Sequence, residues 1–299
     1  MALDLLILII CFIALFIASF TDLKTREVPD WLNFSLIASG LGINLIASII
    51  KNDWFIIVNS LAGLVFCLVI GIIMFYTGQW GGGDSKTIIG LGALIGLNVK
   101  NYRNIFLIFS DNFLISFLIN VLFVGAIYGL VWIFVLGIKN RRKITKRIKI
   151  INKNRSFKGA LIFLSIVVII LIILVIFVPY TELKVSLLLL LIFTVILSFL
   201  WVFAKSVEEI AMIKSIPVEK LTEGDWIVKD VIINKKRITG PKDLGISKEQ
   251  IKTLLKLKSK GKIKNIEIKE GIPFVPSFLV AFIITLLFGN VLFSLLLYF

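Results

Sequence analysis

The chain has 299 residues, 59% of them hydrophobic and 17% charged, with a mean hydropathy of +1.02. That balance excludes a soluble globular domain and describes a polytopic membrane protein. There is no histidine and there are only two cysteines, which excludes Ser-His-Asp and Cys-His catalysis, HExxH zinc sites and a four-cysteine zinc site.

A span needs about 20 apolar residues. Apolar runs fall near Leu3–Phe20, Leu32–Ile50, Phe55–Tyr76, Thr87–Asn98, Asn112–Ile138, Ala160–Val178, Val185–Ala204 and Ser277–Tyr298. The first has no basic n-region or small-residue cleavage site and reads as a retained helix. Asp22 follows it, in a polar stretch with Lys24, Arg26, Glu27 and Asp30. Asp30 and Trp31 read as a cap and interfacial anchor for the second helix. Cys11 and Cys67 sit inside apolar runs and read as small buried hydrophobes. The fourth run is short, glycine-rich and introduced by Gly81-Gly82-Gly83-Asp84-Ser85-Lys86. It reads as a half-span lining a cavity, or as a helix continuing into Tyr102–Ser110.

The segment Lys139–Lys158 carries Lys139, Arg141, Arg142, Lys143, Lys146, Arg147, Lys149, Lys153, Arg155 and Lys158 with no acid among them. Basic loops stay on the cytoplasmic side, so this one accounts for much of the +15 charge without invoking nucleic acid. The same residues suit acidic lipid headgroups or an amphipathic surface helix. Counting spans back from this loop puts Asp22 and Asp84 on one face, the cytoplasmic one, provided that Thr87–Ser110 holds a single span. After residue 205 the chain turns polar. Trp226–Asn234 reads as a strand, and Ser247-Lys248-Glu249-Gln250 as a capping box opening a helix with Ile251, Leu254 and Leu255 on one stripe. Gly261 is a C-cap, Ile263–Ile268 alternates as a half-buried strand, and Pro273 and Pro276 end it.

The expected architecture is mostly α: a polytopic transmembrane bundle of about eight apolar segments, one of them short enough for a half-span. It occupies residues 1–204 with a basic cytoplasmic loop at 139–159. A small cytoplasmic α/β domain follows at 205–276, then a final transmembrane helix at 277–299. A domain of about 70 residues makes only a small core, so it should lean on the bundle or the membrane.

An ionisable side chain at membrane depth is a functional candidate by default. Asp22 and Asp84 are two such carboxylates, and glycines beside Asp84 let backbone or substrate approach closely. Paired carboxylates hydrolyse an amide without a nucleophilic side chain, one taking a proton from water and the other donating to the scissile carbonyl. Like charges close together cannot both ionise cheaply, so the pair shares a proton and titrates as a unit. Lys86 either favours the ionised pair or snorkels to headgroups. The bland alternatives are an interfacial Asp22 and an Asp84 that N-caps a helix starting near Lys86.

Asp22 followed by Lys24, Arg26, Val28-Pro29-Asp30 and Asn33, and then Gly81 to Lys86, resembles the type IV prepilin peptidases, specifically the archaeal preflagellin peptidase branch. Gly271-Ile272-Pro273-Phe274-Val275-Pro276-Ser277-Phe278 before the last span is also similar to that branch. The resemblance implies a GxGD-type aspartic endopeptidase with Asp22 and Asp84 as the catalytic pair and Gly81, Gly82, Gly83 and Lys86 as the supporting motif. Its implied partners are precursors with type IV pilin-like (class III) signal peptides, besides membrane lipids, with no nucleic acid. No cofactor or metal is implied: the four-cysteine zinc segment of bacterial relatives is missing, and methyl transfer has no support. A rival reading makes Asp22 and Asp84 cation or proton sites of an ion-coupled transporter, and a third makes the protein a scaffold subunit. Glu208, Glu209, Glu219 and Glu223 of the polar domain are candidates for holding a basic leader.

Overall fold

The computed structural model describes residues 2–98, 112–151, 155–233 and 236–298. The chain forms α1 (Ala2–Thr25), α2 (Asp30–Lys51), α3 (Phe55–Tyr76) and α4 (Gly82–Ile95), then α5 (Phe113–Lys139), α6 (Arg141–Ile151), α7 (Arg155–Phe177) and α8 (Thr181–Val207). Among the described residues, six helices are long and apolar enough to cross a membrane: α1, α2, α3, α5, α7 and α8. The expected continuation of the fourth run into Tyr102–Ser110 lies outside the described residues.

α4 has 14 residues, a rise of about 21 Å, and does not reach across a hydrocarbon core of about 30 Å. A helix that stops at such depth leaves carbonyls that need partners. Here neighbouring helices supply them. Ser60 Oγ donates to Ala93 O at 2.6 Å, and Asn44 Nδ2 reaches Ala93 O and Leu94 O at 3.4 and 3.2 Å. Both side chains are buried. Gly96, with φ of +73°, turns the chain out of the helix, and Leu97 N donates to Asn59 O at 2.8 Å.

The last apolar run is not one helix, contrary to expectation. It divides into α10 (Val275–Phe288) and α11 (Val291–Tyr298). Gly289 takes a positive φ of +66°, which breaks the helical hydrogen-bond ladder. Asn120 on α5 repairs the break from outside. Its amide donates to Gly289 O at 2.7 Å and Thr285 Oγ1 at 2.9 Å, and its Oδ1 accepts from Val291 N at 3.2 Å.

One apolar core joins α1 to α5 with α10, through Cys11, Leu15, Leu36, Cys67, Ile88, Leu91, Phe117, Phe278 and Phe282. Both cysteines are fully buried and free. α7 and α8 form a separate hairpin that touches this bundle where the Phe203 ring packs on Phe134, 5.2 Å between centroids, and over Gly137. Their large apolar side chains are mostly exposed, as suits a lipid-facing surface. The expected basic loop folds in part as α6, which buries Ile144 and ties Arg147 to Glu209 at 2.7 Å, while Arg141, Arg142, Lys143 and Lys146 stay exposed.

The polar segment builds β1 (Ile213–Pro217), β2 (Trp226–Ile227), β3 (Val231–Ile233), β4 (Lys236–Thr239), α9 (Lys248–Ser259) and β5 (Asn265–Lys269). β5 is central in an antiparallel sheet of order β1-β5-β2, and β3 and β4 form a separate hairpin. The single strand expected over Trp226–Asn234 is therefore two short strands in different sheets, parted at Val228–Asp230; Asn234 lies outside the described residues. The capping box is present: Ser247 Oγ accepts from Gln250 N at 3.3 Å and Gln250 Oε1 from Ser247 N at 2.8 Å. Gly261, with φ of +69°, follows the end of α9. Val218, Ile227, Ile246, Leu254, Ile266 and Ile268 make a small core of their own. This unit does lean on the bundle. The Trp226 ring lies over Gly78 in the α3–α4 turn, 3.3 Å from where a Cβ would stand.

Candidate active site

α1 ends in a left-handed residue, Arg26 with φ of +62°. Asp22 lies in the last turn before it and is only 4% exposed. Its Oδ2 accepts a hydrogen bond at 3.0 Å from Val275 N, the first amide of α10. Asp84 arrives from the other side, in the first turn of α4, where a carboxylate suits the positive end of the helix. The helix opens at Gly82 rather than near Lys86. Asp84 therefore does not cap it from outside; its Oδ2 reaches back to accept from Gly81 N at 2.9 Å. Asp84 is half-buried, and its carboxylate lies within electrostatic reach of that of Asp22. The two residues singled out by sequence thus lie within electrostatic reach of each other, held by different helices.

The glycines divide their work. Gly81 supplies the amide for Asp84. A Cβ on Gly83 would lie 3.2 Å from Val28, so the α1–α2 loop packs directly on the start of α4. Gly82 has more room, its nearest neighbour being the Phe75 ring at 3.8 Å. Thr87 Oγ1 lies 2.9 Å from both Asn33 Oδ1 and Gly83 O, tying α2 to α4. Lys86 pairs away from the two carboxylates. Its Nζ sits 2.5 Å from Asp30 Oδ1 and over the Phe34 ring. Asp30 correspondingly does not cap α2, where Pro29 holds the cap position without a side-chain bond.

Several neighbours gave no functional signal in the sequence. The Tyr128 phenol on α5 lies within electrostatic reach of Asp22, but an aromatic residue in an apolar run reads as packing. Arg26 stacks over Trp132 at 5.4 Å and donates to Gly271 O at 3.0 Å. Trp80, 3% exposed, meets Phe278 edge-on at 5.3 Å just before the glycine motif. The contacts of Tyr128 and Trp132 put the C-terminal half of α5 at the aspartate end. Lys139 and α6, which follow directly, extend from that same end. The shared face of the basic segment and the carboxylates thus rests on contacts, independent of how many spans lie between residues 87 and 110.

The glutamates weighed for leader binding are already engaged. Glu208 pairs with Lys205 and Lys269, Glu209 with Arg147, Glu219 with Lys258 and Glu223 with Lys248. Among the described residues no three His, Cys, Asp or Glu side chains gather as a metal site. What the geometry offers is two carboxylates carried by separate helices, within electrostatic reach of each other.

Fold and site together define a multi-pass helical membrane protein with paired carboxylates at one end of its bundle. Residues 9–137, from within α1 almost to the end of α5, match the type IV leader peptidase family. The chain is 35% identical to a preflagellin peptidase of Methanococcus maripaludis, over 43% of this chain and 56% of that protein. It is 45% identical to a preflagellin peptidase of Methanocaldococcus jannaschii over 28% of this chain and 35% of that protein. The chain thus spans about half the length, or less, of these two relatives. A prepilin peptidase EppA of Methanothermobacter thermautotrophicus is similar over 97% of this chain and 96% of its own length, at 21% identity.

Proposed function

We propose that this protein is an aspartic endopeptidase that removes the short basic leader peptide from archaellin or type IV pilin-like precursors at the cytoplasmic edge of the membrane. The observation that carries this reading is the approach of Asp22 and Asp84 from separate helices, within the stretch matched by the type IV leader peptidase family. In the proposed reaction, one carboxylate takes a proton from a water lodged between them. The water oxygen attacks the scissile carbonyl carbon, and the other carboxyl gives its proton to the carbonyl oxygen. Collapse of the tetrahedral species expels the amine, which takes up a proton, and the pair returns to its shared-proton state. No metal or cofactor takes part in this scheme. The basic residues of α6 support the cytoplasmic assignment, because basic segments stay on that side.

The test is co-expression with a pilin-like precursor carrying a lysine-rich leader, followed by mass spectrometry of its N-terminus. The reading expects loss of the leader with the wild-type protein and its retention with Asp22→Asn. An uncut precursor in the presence of folded, inserted wild-type protein would overturn it.

A further inference from the structure

α1 holds the chain between β5 and α10 at three points on one side. Asp22 Oδ2 accepts from Val275 N at 3.0 Å, and Ser19 Oγ donates to Val275 O at 3.4 Å. Arg26 Nη1 donates to Gly271 O at 3.0 Å. Residue 275 is thus gripped by both of its backbone polar groups, and its side chain is fully buried. Phe274 fills the space beside Gly125 on α5, and its ring meets Phe278 at 5.6 Å. Phe278 in turn meets Trp80, next to the Gly81 amide that holds Asp84. One helical turn therefore supports both carboxylates.

We propose that the backbone amide of Val275, presented by the first turn of α10, is a positioning group that fixes the Asp22 carboxylate in its working orientation. This rests on the aspartic peptidase reading above. The amide adds direction to the carboxylate, which the neighbouring Phe274 amide also faces. A carboxylate also gains more from a donor than a neutral group does. Arg26, Asp84 and Tyr128 are the charged or titratable groups facing Asp22 from its own helix, α4 and α5. Of these groups Val275 alone follows closely on the polar unit in sequence: β5 ends at Lys269, and Glu270 N is tied to Met212 O at 2.8 Å at the neck of that unit.

The test compares Val275→Pro with Val275→Ala in the full-length protein. Proline is tolerated at the first positions of a helix and removes the N–H, while alanine keeps it and controls for lost packing. With a purified pilin-like precursor carrying a lysine-rich leader, Val275→Pro should show kcat roughly tenfold to a hundredfold below that of Val275→Ala, with equal KM. Replacement of Val275 by its α-hydroxy acid, which exchanges N–H for an ester oxygen and keeps the side chain, should lower kcat to a similar degree. It also decides the question if the proline variant does not fold. Equal kcat in the N–H-deleted and alanine proteins, with wild type active and Asp22→Asn inactive, overturns this inference alone. Failure of the wild type to cleave removes the peptidase reading and this inference with it.

Discussion

The sharpest structural prediction concerns Gly63. A Cβ placed there would stand 2.3 Å from Gly92 O and 2.8 Å from Gly96 Cα, and both neighbours are backbone atoms that cannot rotate away. The contact is mutual, since a Cβ on Gly92 would lie 2.6 Å from Gly63 O. On the far side of α4, a Cβ on Gly40 would lie 2.7 Å from the Ala93 carbonyl carbon, so α4 is held between α2 and α3 with no slack. Ordinary contact begins near 3.4 Å, and Gly63→Ala therefore forces α3 and α4 apart by about 1 Å. Asp84 rides on α4, and a misplacement of about 1 Å can cost about a hundredfold in rate. Overpacking should also lower stability by about 1–3 kcal/mol. The assay is kcat for leader cleavage beside thermal unfolding in detergent, with Gly42→Ala as control because nothing lies within 4 Å of its Cβ position. Wild-type kcat in Gly63→Ala would refute the claim that α4 positions Asp84 by close glycine packing.

The end of α4 offers a second check: Ser60→Ala and Asn44→Ala each leave carbonyls of Ala93 or Leu94 short of a donor, and each should lower thermal stability by about 1 kcal/mol. Lys86→Ala should leave leader cleavage near wild type, because the part-exposed pair with Asp30 contributes about 0.2–1 kcal/mol to folding and nothing to the carboxylate pair; a large loss of kcat would contradict the observed contacts. Ser247→Ala removes one arm of the capping box and should cost α9 about 1 kcal/mol, read as faster amide exchange in its first turn.

How much was legible depended on whether the cause was local. Runs such as Phe55–Tyr76 announce a span by themselves, and the Ser247 capping box lies within one turn of chain. The division between α10 and α11 was not legible, because Gly289 and Asn290 look tolerable within an apolar run and the repairing Asn120 comes from another helix. β1 escaped notice because Lys214 and Ser215 disguise a strand whose reason to exist is pairing with β5. Asp22 and Asp84 were conspicuous because charge is rare beside long apolar runs. Their backbone donors were half hidden: glycines marked Gly81, whereas the amide of Val275 has no side-chain signature. Lys86 shows the reverse error. Its nearness to Asp84 in sequence suggested a role at the pair, but an α-helical offset of two residues points the side chains apart, and Asp30 was the available partner.

The most direct measurement is single-turnover cleavage of a pilin-like precursor by purified wild type, Asp22→Asn and Asp84→Asn, each first shown to unfold at the wild-type temperature. A shared-proton mechanism predicts that either substitution alone lowers the cleavage rate at least about a thousandfold, with little further loss in the double variant. Cleavage at the wild-type rate by either folded single variant would contradict it.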